Sequence, residues 1–481
     1  MPRSTVVLRP TDVDTDRGVE RALRDRFAAV RAELGIDGPY PADAVSEAER
    51  VVADVDLPTE DGTDVPYVTL DPPGSMDLDQ ALHIERDGAG HRVRYAIADV
   101  PAFVHPGGAL DRVTRERGQT VYCPDTGVPL HPPVLSEAAA SLLPGEVRPA
   151  YVWDLRLDGD GALTSARIGR AMVRSVERLD YASVQAAVDA GTGDERLLLL
   201  REVGERRIAQ EKARGGASLP MPEQQVSQRA DGGFTLEFRP PVAAEEWNAQ
   251  LSLMTGMAGA DLMLEAGVGV LRTMPPPDDR SVATFRRAAR ALGVDWPEGT
   301  TYGDLVRGLD RHDPHHLALI HEATALFRGA AYTAFDGEPP EQREHAAVAA
   351  PYAHVTAPLR RLVDRFGLVV CAASCAGTDV PGDVRAALPD LPAAMRETDR
   401  VARTAERLCA DAAEAAVLTG RVGDVLDGVV VDHRESGIEV QLVELPVLAR
   451  VPGEQPDLGS AVRLRVEEAD VAAGRVVLAL A

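Results

Sequence analysis

The sequence predicts an α+β protein in which a barrel-like mixed β-sheet module, surrounded by helices, is followed by a small β-barrel. Three observations carry this. Between Val65 and Tyr181, short apolar runs rich in Val, Ile and Tyr alternate with turn-forming Pro, Gly and Asp. From there to Leu418 most periodic stretches repeat at helical spacing. From Arg421 to Ala481 the period returns to that of strands separated by Gly and acidic turns. The boundaries expected are a short helical region at 1–60, a main domain at 61–418 and a small barrel at 421–481.

Size and composition set limits on function. A chain of 481 residues, 45% apolar and 26% charged, can bury a sizeable core in two or three domains. No stretch approaches 18 apolar residues, so no membrane span is expected. The opening "MPRSTVVLRPTDVDTDRG" turns acidic and lacks the apolar core of a secretory signal. Four cysteines, Cys123, Cys371, Cys375 and Cys409, are too few for a disulfide scaffold and point to a reducing cytoplasm. A net charge of -25 argues against coating nucleic acid through a general basic face, but a cleft can still carry its own basic lining. Arginine supplies nearly all the positive charge, with Lys212 the single lysine. That suits bidentate phosphate contacts, yet codon bias would give the same composition.

Taken in order, "DRGVERALRDRFAAVRAEL" is an amphipathic helix with Val19, Leu23, Phe27 and Val30 on its apolar face. "YVTL" and "QALHI" are strands flanking a Pro-Gly loop, and "HRVRYAIADV" is a strand ending at Asp99. "YVWDLRLDGDGALTSARIGRAMV" is a hairpin turning at "DGDG". Helices are expected over 182–215, 243–268, 281–293 and 315–335. A further helix opens with Pro358 in its first turn, and a long one runs to about Leu418. Cys371 and Cys375 read as small core residues of the Pro358 helix.

The segment "YVTLDPPGSMDLDQALHI" sets Asp71, Asp77 and Asp79 within nine positions with no basic residue among them. In an extended backbone Asp77 and Asp79 point the same way, and the Pro-Gly turn can fold Asp71 back toward them. Converging carboxylates repel, and a divalent cation such as Mg²⁺ or Mn²⁺ relieves that repulsion. The chemistry that fits is phosphoryl transfer or phosphodiester hydrolysis. Aspartates capping solvent-facing turns explain the same spacing equally well.

The longer pattern separates these readings. "TLDPPGSMDLDQAL", continued through "YAIADVPAFVHPGGALDRVTRERGQTVYCPDTGVPLHPPVLSEAAASLLPGEVRPA", resembles the signature of the ribonuclease II/R family of hydrolytic 3′→5′ exoribonucleases. "EPPEQREHAAVAAPYAHVTAPLRRLVDRFGL", about 280 residues later, resembles the family's second signature. The resemblance implies an RNB-type catalytic module, in a short form without the family's N-terminal cold-shock domains, ending in an OB/S1-like barrel. It implies that Asp71, Asp77 and Asp79 are catalytic and hold Mg²⁺, that Arg360 contacts the scissile phosphate, and that Tyr122 lies near the RNA 3′ end. Arg361 and Gln250 are further candidate RNA contacts, Gln250 standing where the family has a glutamate. Gln80 replaces a fourth family aspartate; it would reach the metal only through water, so weaker, more metal-demanding activity is expected.

The function implied is metal-dependent exoribonuclease action on single-stranded RNA, releasing nucleoside 5′-monophosphates, by a cytoplasmic monomer. Two alternatives stand beside it: an RNA-binding or regulatory relative impaired by Gln80, and a phosphodiesterase for very short oligoribonucleotides. The terminal barrel contains no Phe, Trp or Tyr and eleven acidic against six basic residues. It therefore lacks the aromatic platforms on which bases stack and is expected to shape the channel mouth or touch a protein partner.

Overall fold

The strands predicted around the aspartates form, and they close on themselves. The computed structural model describes residues 7–8, 17–217, 219, 223–228, 234–239, 241–310, 313–445 and 447–481. Most of the acidic opening stretch lies outside the described residues. Strands β1 (Tyr67–Leu70), β2 (Gln80–Asp87), β3 (Gly90–Ala98), β4 (Val147–Leu157) and β5 (Leu163–Leu179) make a closed barrel in that order. Neighbours are antiparallel except at the closure, where β1 runs parallel to β5 with Tyr67 opposite Ser175 and Leu70 opposite Leu179.

Both faces of β3 are buried, which is why "RYAIAD" loses its polar alternation. Val93, Tyr95 and Ile97 enter one apolar cluster with Trp153 and Leu155. Ala96 and Ala98 enter another, with Tyr67, Leu78 and Ala150.

Helices surround this barrel. In chain order they include α1 (Arg17–Glu33), α2 (Ala42–Ala53), α3 (Ala109–Arg117), α4 (Glu195–Ala213), α5 (Ala243–Ala266), α6 (Leu362–Ala376) and α7 (Leu391–Leu418). The apolar face read from α1 packs Leu23, Phe27 and Val30 against Ala402, Ala405 and Ala412 of α7. Three helical expectations change. The 182–215 stretch is two helices, Tyr181–Asp189 and Glu195–Ala213. The 315–335 stretch is α-helical to Ala323 and 3₁₀-helical over Thr324–Phe327; Ala331–Asp336 is a strand paired with Val268–Thr273. The helix expected to open at Pro358 begins at Leu362, because the carboxylate of Asp364 accepts from the backbone N–H groups of Thr356 and Ala357 and holds the preceding residues in a loop. Cys371 is buried as expected, whereas Cys375 is exposed.

The C-terminal strands are β6 (Val425–Arg434), β7 (Gly437–Leu442), β8 (Leu448–Pro452), β9 (Ala461–Asp470) and β10 (Arg475–Leu480). They form one antiparallel sheet in the order β8-β7-β6-β9-β10, curled so that its edge strands approach each other. Its own core, built on Val430, Ile438, Val440, Leu464 and Leu478, is capped by Ala413, Val417 and Leu418 at the end of α7. Among the described residues no helix is long and apolar enough to cross a membrane.

Helices α4 and α5 approach most closely at Gly204, where an added Cβ would sit 2.7 Å from the Trp247 Cα. Alanine is favoured over glycine in a helix by about 1 kcal/mol, so the sign of the substitution reports which effect governs. Gly204→Ala is expected to lower the thermal midpoint by about 1–2 °C, as overpacking of about 1–3 kcal/mol outweighs propensity; differential scanning calorimetry reads this directly.

Candidate active site

The acidic segment is shaped by its backbone. The Asp71 N–H donates to the Leu179 carbonyl at 3.2 Å, extending the β1 to β5 pairing by one residue before the chain turns. Gly74, at φ +86°, takes the left-handed conformation that lets this turn close. Ser141 then pins the return: its hydroxyl accepts from the Leu78 N–H at 3.0 Å and donates to the Met76 carbonyl at 2.6 Å. With Leu78 fully buried as a peg, the alternation of an extended chain sends Asp77 and Asp79 to the other side.

Across from the acids lies the loop 354–361. Asp364, wholly buried, accepts from Thr356 and Ala357 and takes both prongs of the Arg361 guanidinium at 2.8 Å. Its other grips are the Leu359 N–H on the Asp79 carboxylate at 2.7 Å, the Pro358 carbonyl against His131 at 3.1 Å and the Arg360 carbonyl on the Thr120 N–H at 3.0 Å. This frame carries the Arg360 guanidinium to 3.4 Å from Asp79, with the arginine side chain still 44% exposed. Tyr122, from the small hairpin Val121–Tyr122 with Gly127–Val128, donates its hydroxyl to Asp77 at 3.3 Å and is 39% exposed. Acids lie at the bottom, and an arginine and an aromatic ring rim the opening.

The electrostatics are those of a site short of positive charge. Burial drives the Asp71 carboxyl up to about 6; Arg360 pulls it down and Asp77 pushes it further up. Burial likewise holds Asp79 well above the ordinary carboxylate range, against the pull of Arg360 and the Leu359 N–H. The Tyr122 hydroxyl is raised by burial and by the neighbouring Asp77.

Which residues could hold a metal follows from these contacts. Oδ2 of Asp71 is buried without a hydrogen-bond partner, and Asp77 lies close enough to disfavour its ionised form. A hard divalent cation fits this pair, with substrate oxygens and water supplying further ligands. The full set Asp71, Asp77, Asp79 and Gln80 is not assembled as a cage: among the described residues no group of three or more His, Cys, Asp or Glu is disposed to hold a metal ion alone.

Three sequence expectations are corrected here. Gln80 does not face the acids as a water-bridged ligand. Its Nε2 donates to the Thr356 carbonyl at 2.7 Å, and its Oε1 accepts from the Tyr95 hydroxyl at 2.5 Å and the Ser252 hydroxyl at 3.4 Å. Arg361 is turned inward and its fork is spent on Asp364, so it is not placed to touch RNA. Gln250 is buried and donates to Glu211 of α4 at 2.5 Å, tying α4 to α5. Residues two apart on a helix point to opposite sides, and it is Ser252 that reaches Gln80 while Asn248, one turn before Ser252, donates to the Tyr181 hydroxyl at 3.2 Å. Ser252, Asn248 and Tyr181 were missed because each acts through a partner distant in sequence, and Tyr95 and Asp364 because their bonds form only once the loop and barrel are folded. The i, i+4 spacing of Asn248 and Ser252 was the one available signal. Asp99 caps the turn after β3, accepting from the Ala102 N–H at 3.2 Å while paired with Arg170 at 2.7 Å.

Comparison with known proteins places this geometry. Residues 59–367 match the RNB domain and 424–481 the RNase II-type exonuclease C-terminal S1 domain. The chain is 30% identical over 322 residues to ribonuclease R of Escherichia coli K12, covering 63% of this chain and 38% of that protein. The fold superposes on Mycoplasma genitalium RNase R in complex with ribose methylated single-stranded RNA at a TM-score of 0.84 and 17% identity, over 99% of this chain and 85% of that one. It also superposes on yeast Ssd1, a pseudonuclease, at a TM-score of 0.67 and 17% identity, over 89% and 59%.

A raised carboxyl destabilises the fold once it ionises: its contribution is favourable below the unfolded value near 3.8 and is lost as pH rises through about 6. In chelator, Asp71→Asn is therefore expected to be more stable than the parent above pH 7, by about 1–2 kcal/mol after solvent screening. The advantage should vanish as pH falls toward 4, and at pH 7.5 Mg²⁺ should raise the thermal midpoint of the parent but not of the variant. Thermal melts of the pair across pH, with and without the ion, check both.

Proposed function

The chain belongs to the RNB-domain family of ribonuclease II/R type, and from that premise we propose that it is a 3′→5′ exoribonuclease that hydrolyses single-stranded RNA to nucleoside 5′-monophosphates. The observation that carries the reading is the meeting of Asp71, Asp77 and Asp79 with Arg360 and Tyr122, drawn from segments far apart in the chain.

Asp71 and Asp77, with Asp79 beside them, would hold Mg²⁺ or Mn²⁺, which when bound supplies charge neutralisation and an acidified water. The chain's own groups do the rest. Hydrolysis forms a bond from water to phosphorus and breaks the bond from phosphorus to the 3′ oxygen of the preceding nucleotide, leaving the phosphate on the departing 5′ carbon. Arg360, charged and solvent-accessible, offers donors to the phosphoryl oxygens as negative charge gathers there. Asp79 fixes where those donors lie, since it holds both the Arg360 guanidinium and the Leu359 N–H. The exposed ring of Tyr122 offers a stacking surface for the last base, with its hydroxyl anchored on Asp77.

The barrel at 424–481 matches an S1 model but carries no aromatic residue. RNA affinity in this reading therefore comes mainly from the catalytic channel, and the acidic barrel frames its mouth or meets a protein partner. The match to a pseudonuclease favours one alternative, an RNA-binding protein without turnover; the retained acids and arginine favour catalysis.

The test uses 5′-labelled single-stranded RNA of several lengths with Mg²⁺, Mn²⁺ or a chelator. A metal-dependent ladder shortening from the 3′ end is expected, and Asp79→Asn and Arg360→Ala should each reduce turnover by about 100-fold or more. RNA binding with no cleavage in any metal would sink the enzyme reading, and cleavage confined to fragments of a few nucleotides would move the substrate to short oligoribonucleotides.

A further inference from the structure

Gln80 and Asp79 are consecutive, and both grip the same loop. Asp79 accepts from the Leu359 N–H, while three residues earlier the Thr356 carbonyl accepts from Gln80 Nε2 at 2.7 Å. Thr356 itself is buried, so this carbonyl depends on a protein donor. The amide orientation is decided by its partners. A carbonyl can only accept, so Nε2 must face Thr356, and Oε1 is left to the hydroxyls of Tyr95 at 2.5 Å and Ser252 at 3.4 Å. The hydroxyls of Tyr95 and Ser252 also lie 2.9 Å apart; with one proton on each hydroxyl, Tyr95 donates to Oε1 and Ser252 donates either to Tyr95 or to Oε1. The Nε2 donor toward the loop and the Oε1 acceptor toward β3 and α5 are thus both engaged.

We infer that Gln80 is a positioning residue, a latch that fastens the start of the acidic strand to the loop carrying Arg360, and not a weakened metal ligand. The inference deepens the exonuclease reading, on which the catalytic part of its test rests. It reverses the simple expectation for this position. A carboxylate at 80 has no N–H for Thr356 and would set a negative oxygen against the carbonyl, and aspartate is one methylene too short to span the same gap. Supplying the missing charge would therefore undo the latch.

The experiment compares the parent chain with Gln80→Asp and Tyr95→Phe. Hydrogen exchange over 354–362 is followed in chelator, and turnover of labelled single-stranded RNA is titrated with Mg²⁺. Gln80→Asp is expected to speed exchange in that segment and lower kcat by about 10- to 100-fold. KM for RNA and the Mg²⁺ concentration for half-maximal rate should stay within about twofold, as fits lost alignment of Arg360 rather than lost ligation. Tyr95→Phe should move exchange and kcat in the same direction by less, and it decides the matter if the aspartate variant does not fold. Faster turnover or a lower Mg²⁺ requirement in Gln80→Asp would overturn the latch, as would exchange over 354–362 unchanged in both variants. If the parent shows no nuclease activity, the exonuclease reading fails, while the exchange result alone still decides the latch.

Discussion

The arrangement depends on one backbone contact: the Leu359 N–H on the buried carboxylate of Asp79, joining residues 280 apart in sequence. Around it the acidic segment and the Arg360 loop become a single unit. The contact satisfies an amide in the loop that Asp364 holds ahead of α6, and it orients the carboxylate that pairs with Arg360. An exposed ion pair would be worth little. Here the acid is 4% exposed, so its partners fix geometry as well as charge.

The surrounding charges follow a division of labour. Asp364 with Arg361 and Asp111 with Arg365 are buried pairs in which each charge meets a partner at hydrogen-bond distance. Removing one partner from such a pair leaves the other stranded at a cost of about 3–5 kcal/mol, so these arginines hold the fold. Arg360 is different. Its neighbours are raised carboxyls, and its side chain remains open to solvent, as a group meant for a ligand must be. Neighbouring arginines in "PLRR" thus serve opposite purposes, the first facing the opening and the second facing the core.

Strong net acidity does not stand against the proposed reading. The field that matters is that of the cleft, where Arg360 stands over carboxylates whose repulsion a divalent ion would cancel. The acidic, aromatic-free barrel at the C-terminus is built on a separate apolar core against the end of α7. It can vary in surface charge without disturbing the barrel of β1–β5, whose core is distinct.

By itself the sequence determined most element types, the aspartate cluster and the second motif, because strand and helix periods and turn residues are local properties. Short-range geometry also suggested that Asp77 and Asp79 share a side, since they stand two apart in an extended stretch. What the sequence left open was decided by which partners the side chains meet in the folded chain. Nothing local says that Gln80 will donate to Thr356, 276 residues away, or that Gln250 will tie two helices while Ser252 faces the site. Those outcomes come from the need to satisfy every buried donor and acceptor at once, a condition that exists only after the barrel has closed and the Arg360 loop has been pressed against its acidic edge.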